Sequence, residues 1–316
     1  MDDTGIEELY RKCELCPRMC GVDRTGGFRG YCGSGVNAEI ALCMLHKWEE
    51  PCISGSDPSR GSGAIFFRHC SLGCVYCQNH EISRPGAISC ARQVTEYPDT
   101  AQLENAMLKL EADGAYNVNL VTPTHYMPSI VTAAKNARKR GLNVPLVYNT
   151  GGFERAEMIG KLEGTVQIFL TDFKYLTDAT ALKYSGTDKY VQNAERALEK
   201  MFEITGRGLE FDSDGMLKRG VIVRHLVLPG RSYAASKIIK KIYSKFGDGI
   251  IYSLMNQYTP IPDADPRLSA FPELMRPVGR GEYRKAVKTL EELAPEYAYI
   301  QEGGTISESF IPKWQD

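Results

Sequence analysis

The 316-residue chain has no run of about 18 apolar residues, so a membrane-spanning helix is not expected from its sequence. It has little net charge, −1 in all, which gives no reason to expect a nucleic acid or a membrane surface as partner. The opening "MDDTGIEELY" is acidic and lacks the basic and apolar regions of a signal peptide, so the expectation is a cytoplasmic protein. There is no low-complexity segment, and after Cys90 there is no cysteine. What is present is ordinary in bulk: 43% hydrophobic and 24% charged residues, as in a soluble globular protein.

The ten cysteines are crowded at the front, nine of them before residue 78. In a reducing compartment clustered cysteines read as metal ligands, not disulfides. "HCSLGCVYCQNHE" places Cys70, Cys74 and Cys77 at C-x3-C-x2-C, with Tyr76 just before the last. Structural zinc and most iron–sulfur clusters take four protein ligands. A [4Fe–4S] cluster on three thiolates leaves one iron open to a small molecule, and S-adenosylmethionine can chelate it through its amino and carboxylate groups. The competing reading is a zinc site completed by His69 or His80.

Past residue 60, short β-branched or aromatic runs alternate with stretches of helical period. Strands are expected at 64–68, 116–121, 145–149, 166–172, 221–227 and 250–255, and helices at 101–113, 127–140, 154–162, 188–202 and 232–246. Apolar strands alternating with helices predict a parallel sheet covered on both faces, and six units suit a partial (βα)6 TIM-like barrel. A polar insertion at 203–220 suggests a hairpin around Asp214-Gly215, 259–281 reads as a long proline-rich loop, and "GEYRKAVKTLEEL" as a final helix. The expected division is a Cys-rich module (1–60), the barrel (61–260) and a C-terminal extension packed on it (261–316). Each of the six strands carries conspicuous polar groups at or near its carboxyl end, where parallel α/β folds bind ligands. That placement argues for an enzyme.

"CSLGCVYC" resembles the signature of the radical S-adenosylmethionine superfamily. "GAIFFRHCSLGCVYCQNHEIS" is similar to the branch containing pyruvate formate-lyase activating enzyme. Together with "CELCPRMCGVDRTGGFRGYCG", "HKWEEPCISGSDPSRGSGAIFF" and "LVTPTHYMPSI", it resembles the uncharacterised iron–sulfur homologues of that activase over roughly residues 10–260. The resemblance implies reductive cleavage of S-adenosylmethionine to a 5′-deoxyadenosyl radical and hydrogen abstraction from a substrate. It also implies a flavodoxin- or ferredoxin-type electron donor.

Carried over by position, Tyr76 packs near adenine, Asp172 and Lys174 of "DFK" hold the methionyl end and ribose, and Arg224 contacts the cofactor carboxylate, a pairing a guanidinium suits. Thr124 and His125 stand where the activases have Gly-Gly-Glu, whose acid binds the amino group, and depart from it. Asn149 and Thr150 stand near another contact with altered side chains, and Tyr258 or Gln257 where relatives have a histidine by the ribose. The bland counterparts are a solvated loop pair for Asp172 and Lys174, a structural ion pair for Arg224 and an ordinary buried histidine for His125.

At the front, Cys13, Cys16, Cys20 and Cys32 form C-x2-C-x3-C-x11-C, a closed four-thiolate site for zinc or an auxiliary iron–sulfur cluster, or else reduced cysteines in a small lobe. Cys43, Cys52 and Cys90 read as buried small hydrophobes. "LHKWEEP" (45–51) either closes one side of the mouth or is a solvated turn with Trp48 packed on the barrel. The substrate is a glycyl radical enzyme on the activase resemblance, or a small molecule, peptide or other macromolecule. From another class, the chain is a zinc-binding, non-catalytic scaffold.

Overall fold

The computed structural model describes residues 5, 8–83, 99–262 and 265–301; Cys90 lies outside them. Nine strands form one curved, open sheet: β1 (Ile40–His46), β2 (Gly61–Phe67), β3 (Ala115–Val121), β4 (Leu146–Thr150), β5 (Ile168–Asp172), β6 (Glu210–Phe211), β7 (Leu217–Leu226), β8 (Ile251–Met255) and β9 (Ala298–Ile300). The order is β1-β2-β3-β4-β5-β7-β8-β9, with β6 paired to β7 as the short hairpin expected around Asp214-Gly215. All pairings from β2 to β9 along this path are parallel, and β1 is antiparallel to β2. Strictly sequential parallel order with intervening helices is the arrangement of a barrel, and the unpaired outer edges of β1 and β9 leave it partial. The six expected strands are β2, β3, β4, β5, β7 and β8.

Among the described residues, seven helices of five or more residues connect or cover the strands: α1 (Ala101–Ala112), α2 (Met127–Lys139), α3 (Ala156–Gly160), α4 (Asp178–Ser185), α5 (Tyr190–Ile204), α6 (Ser232–Phe246) and α7 (Arg280–Leu293). The strands alternate with period two. Ile65, Phe67, Val118, Leu120 and Leu146 face the helices, in one apolar cluster with Leu103, Met107 and Ile130. The opposite parity faces inward: Val147, Ile168, Leu170, Ile222 and Ile251 form the floor of the barrel. One position further along the inward face come Asn149, Asp172 and Arg224, with Asp172 directly opposite Arg224 in the register. Polar residues therefore replace apolar ones on the inner face at the carboxyl end of the sheet.

The segment between β1 and β2 does not skirt the barrel. Cys52 and Ile53, in a single helical turn at Pro51–Ser54, pack into the floor cluster, and Asn117 Nδ2 donates to the Ile53 carbonyl at 2.7 Å. This strap carries Glu49 and Glu50 into the interior. Cys52 is buried as expected, but Cys43 is exposed, because β1 is an edge strand with half-open faces. The N-terminal module is clasped to the barrel by Arg18. Its guanidinium donates to the carbonyls of Ser71 (3.1 Å), Leu72 (3.0 Å), Ser185 (3.1 Å) and Gly186 (2.7 Å) and stacks on Tyr31 at 3.8 Å. Buried Arg24 extends the joint, stacking on Tyr10 and donating to the His125 carbonyl at 2.6 Å.

Candidate active site

A cavity of about 230 Å3 opens at the carboxyl end of the sheet, lined on one side by Cys74, Tyr76 and Cys77 and on the other by Asn149, Asp172, Lys174 and Arg224. Two non-glycine residues at strand ends have left-handed backbone, His69 (φ 73°) before Cys70 and Thr122 (φ 60°) after β3. Such conformations cost about 1–3 kcal/mol each and are retained where the surroundings over-determine them. Gly73 (φ 76°) makes the reversal between Cys70 and Cys74, where Arg18 holds the preceding carbonyls.

The three sulfurs each accept a hydrogen bond. The Leu72 N–H reaches Cys70 Sγ (3.4 Å), Ser185 Oγ reaches Cys74 Sγ (3.1 Å) and Ser83 Oγ reaches Cys77 Sγ (3.4 Å). Burial, then the neighbouring Cys74 and Cys77, push the Cys70 thiol up to about 12; burial also raises Cys77. Cys70 and Cys77 resist ionising by themselves, and a bound cation reverses that balance. Among the described residues no group of three or more His, Cys, Asp or Glu could hold a single metal ion. A cubane asks for one thiolate per iron, spread around a hollow, and a loop of hydrogen-bonded thiols at a cavity wall fits it. His69 is turned to Glu39 (Nε2–Oε1 3.4 Å).

Opposite the thiols runs a polar network. Arg224 donates from Nε to Asp172 Oδ1 (2.9 Å), from Nη1 to Glu49 Oε2 (3.1 Å) and from Nη2 to Asn149 Oδ1 (2.7 Å). Lys174 Nζ donates to Asp172 Oδ2 at 2.5 Å. Burial by itself would raise the Asp172 carboxyl, but the Lys174 and Arg224 charges outweigh it and hold the group below its ordinary value. Tyr190 fixes the turn that follows β5, its hydroxyl donating to the Gly151 (3.0 Å) and Asp172 (3.1 Å) carbonyls and accepting from the Lys174 N–H (2.8 Å).

The other expected site residues lie elsewhere. Thr124 is buried behind the wall, donating to Glu154 Oε1 at 2.5 Å, and Thr150 bonds the same oxygen. His125 is buried with Nε2 on the Arg68 carbonyl at 2.8 Å, and burial pulls its pKa down to about 3, so it is neutral. Tyr258 lies behind Tyr76, ring to ring at 6.2 Å, with its hydroxyl on the Leu274 carbonyl (2.6 Å); Gln257 is the one of the pair that lines the cavity. In the front module Cys13, Cys16 and Cys32 are buried near one another, and burial pushes Cys16 up to about 12. Cys20 is exposed and accepts from the Tyr31 N–H at 3.3 Å.

Glu49 and Glu50 line the cavity without having been individually assigned a role. The available signal was two adjacent acids ahead of a proline in "HKWEEP", and only the path of the strap shows where they go. Trp48 beside them is 73% exposed and also borders the cavity, so it does not pack on the barrel as a turn anchor.

No protein-family model matches the chain. An uncharacterised protein of Methanocaldococcus jannaschii is 26% identical over 290 residues, covering 90% of this chain and 76% of that protein. Among solved structures, Streptococcus suis SuiB is similar with TM-score 0.46 and 9% identity, covering 75% of this chain and 48% of that one. The chain thus spans about half the length of SuiB. A radical SAM methyltransferase from Sphaerobacter thermophilus is similar with TM-score 0.48 and 13% identity, covering 78% of this chain and 67% of that one.

Proposed function

We propose that the chain is a radical S-adenosylmethionine enzyme with its cluster at Cys70, Cys74 and Cys77. The observation that carries this reading is that Cys74 and Cys77 of the three-thiol loop meet the Asp172, Lys174 and Arg224 network at one cavity. A cluster held there would supply the one electron that breaks the sulfonium of S-adenosylmethionine into methionine and a 5′-deoxyadenosyl radical, which takes a hydrogen atom from the substrate.

The chain's own residues have separable tasks. Lys174 uses one of its three N–H donors on Asp172, and Arg224 three of its five on Asp172, Glu49 and Asn149, so both retain donors for a carboxylate. Asp172 keeps the two cations together and oriented. Phe66, Val121, Leu226 and Met255 line the same cavity with apolar surface that excludes water from the reacting atoms. A flavodoxin- or ferredoxin-type protein is the electron source in this reading.

A small molecule, or one side chain of a larger substrate, is favoured over a glycyl-radical loop. The strap packs Cys52 and Ile53 into the barrel floor and brings Trp48, Glu49 and Glu50 into the cavity lining, which leaves less room for an inserted loop.

The test is anaerobic reconstitution with iron and sulfide. The cluster spectrum is expected to change on adding S-adenosylmethionine, and Cys74→Ala to abolish 5′-deoxyadenosine formation under reduction. Undiminished formation in that variant overturns the site.

A further inference from the structure

The cavity contains a carboxylate that the radical chemistry does not use. Glu50 is 7% exposed, stands in the cavity wall beside Glu49, and its Oε2 has no hydrogen-bond partner. Buried polar atoms are nearly always paired, so an orphan beside a hollow calls for a donor. The charges of the lining sharpen this. Glu49, Glu50 and Asp172 face two cations, Lys174 and Arg224, and both cations are already engaged by Asp172 and Glu49. The other titratable neighbours add no charge at neutral pH: burial and then Arg224 push His46 below its ordinary value, and burial raises the Cys52 thiol and the Tyr299 phenol. With Glu50 ionised, these groups carry one more negative than positive charge.

Resting on the reading of this cavity as the reaction site, we propose that Glu50 anchors a protonated primary amine, so that the group bound inside the barrel is an ammonium. A carboxylate–ammonium bond is charge-assisted and gains strength where water is excluded. It completes the acceptor that the protein leaves open, and it brings the lining to neutrality. Trp48 and Tyr76 add aromatic faces to the same cavity, surfaces that attract such a cation. The amino group of S-adenosylmethionine is taken up by the open cluster iron in that reading, so the ammonium is carried by the second substrate. The strap is then a specificity element, not a spacer.

Calorimetric titration of the anaerobically reconstituted protein with a matched pair, hexylammonium and hexan-1-ol, tests this. The ammonium member is expected to bind about tenfold or more tightly, and Glu50→Gln to erase that preference while leaving the neutral member unchanged.

A measurement without any variant runs alongside. Binding of the ammonium member at neutral pH should release protons, seen as a dependence of the heat on the buffer's ionisation enthalpy, and the neutral member should release none. Equal affinity within the pair, a preference that survives in Glu50→Gln, or binding without proton release overturns the proposal. These readouts need no turnover, so 5′-deoxyadenosine formation by the native protein judges the radical reading separately.

Discussion

Replacing Glu50 by glutamine should make the protein more stable above neutral pH. Burial, reinforced by Glu49 and opposed by Arg224, lifts this carboxyl from an ordinary 4.5 to about 7. A carboxyl raised by folding favours the folded state while neutral. Its contribution is therefore fullest below about 4.5 and is lost as pH rises through about 7. At about 1.4 kcal/mol per tenfold, that gap is worth on the order of 3 kcal/mol. With about 2.1 cal/mol/K of unfolding entropy per residue, a chain of 316 residues converts it to about 4 °C. Glutamine keeps the shape and never ionises. Scanning calorimetry at about pH 5 and about pH 8 should show the native melting temperature falling further than the variant's by that amount. A residual slope belongs to Glu154, which burial also raises to about 7. Identical pH profiles for the two proteins would refute the assignment of Glu50 as a buried, partly neutral acid.

Three further outcomes follow from contacts already described. Gly152→Ala places a Cβ 2.1 Å from the Asp172 carbonyl oxygen and 2.7 Å from Tyr190 Oη at φ 80°, so S-adenosylmethionine binding should fall with stability, read by titration and thermal melting. Arg224→Gln leaves Glu49 and Asp172 short of their shared cation and should cost about 3–5 kcal/mol, measured by urea unfolding; a loss under about 1 kcal/mol, the scale of an exposed pair, contradicts the network. Native-state alkylation with iodoacetamide, read by mass spectrometry, should label Cys20 and Cys43 first and Cys52 only on unfolding.

The barrel was legible because its strands advertise themselves. "VQIFLTD" and "VIVRHLV" are apolar on both parities, as strands covered on both faces must be, and their alternation fixes that Asp172 and Arg224 point inward together. β1 escaped notice because an edge strand with half-exposed residues has no such signature, and β9 because three residues carry no period. Cys74, Cys77, Asn149, Asp172, Lys174 and Arg224 meet at one cavity because each follows or ends a strand. Thr124 and His125 also follow a strand, yet the 3-10 turn at Thr124–Tyr126 buries them against Glu154 and Arg68. Glu49 lies 175 residues from Arg224, and no local pattern announces a contact made only when the strap enters the barrel.

The grip of Arg18 on four backbone carbonyls has a bearing on how the thiol loop would take up the proposed cluster. Small metal-binding segments often stay unfolded until the ion arrives, and the energy of binding is then used to order the chain. Here one guanidinium, planted in a distant part of the sequence, moulds the turn from outside. If the proposed cluster sits there, loading it would ask for little reordering of the polypeptide, and losing the inorganic core to air would leave the seat standing. Damage and repair would then alternate without refolding of the loop.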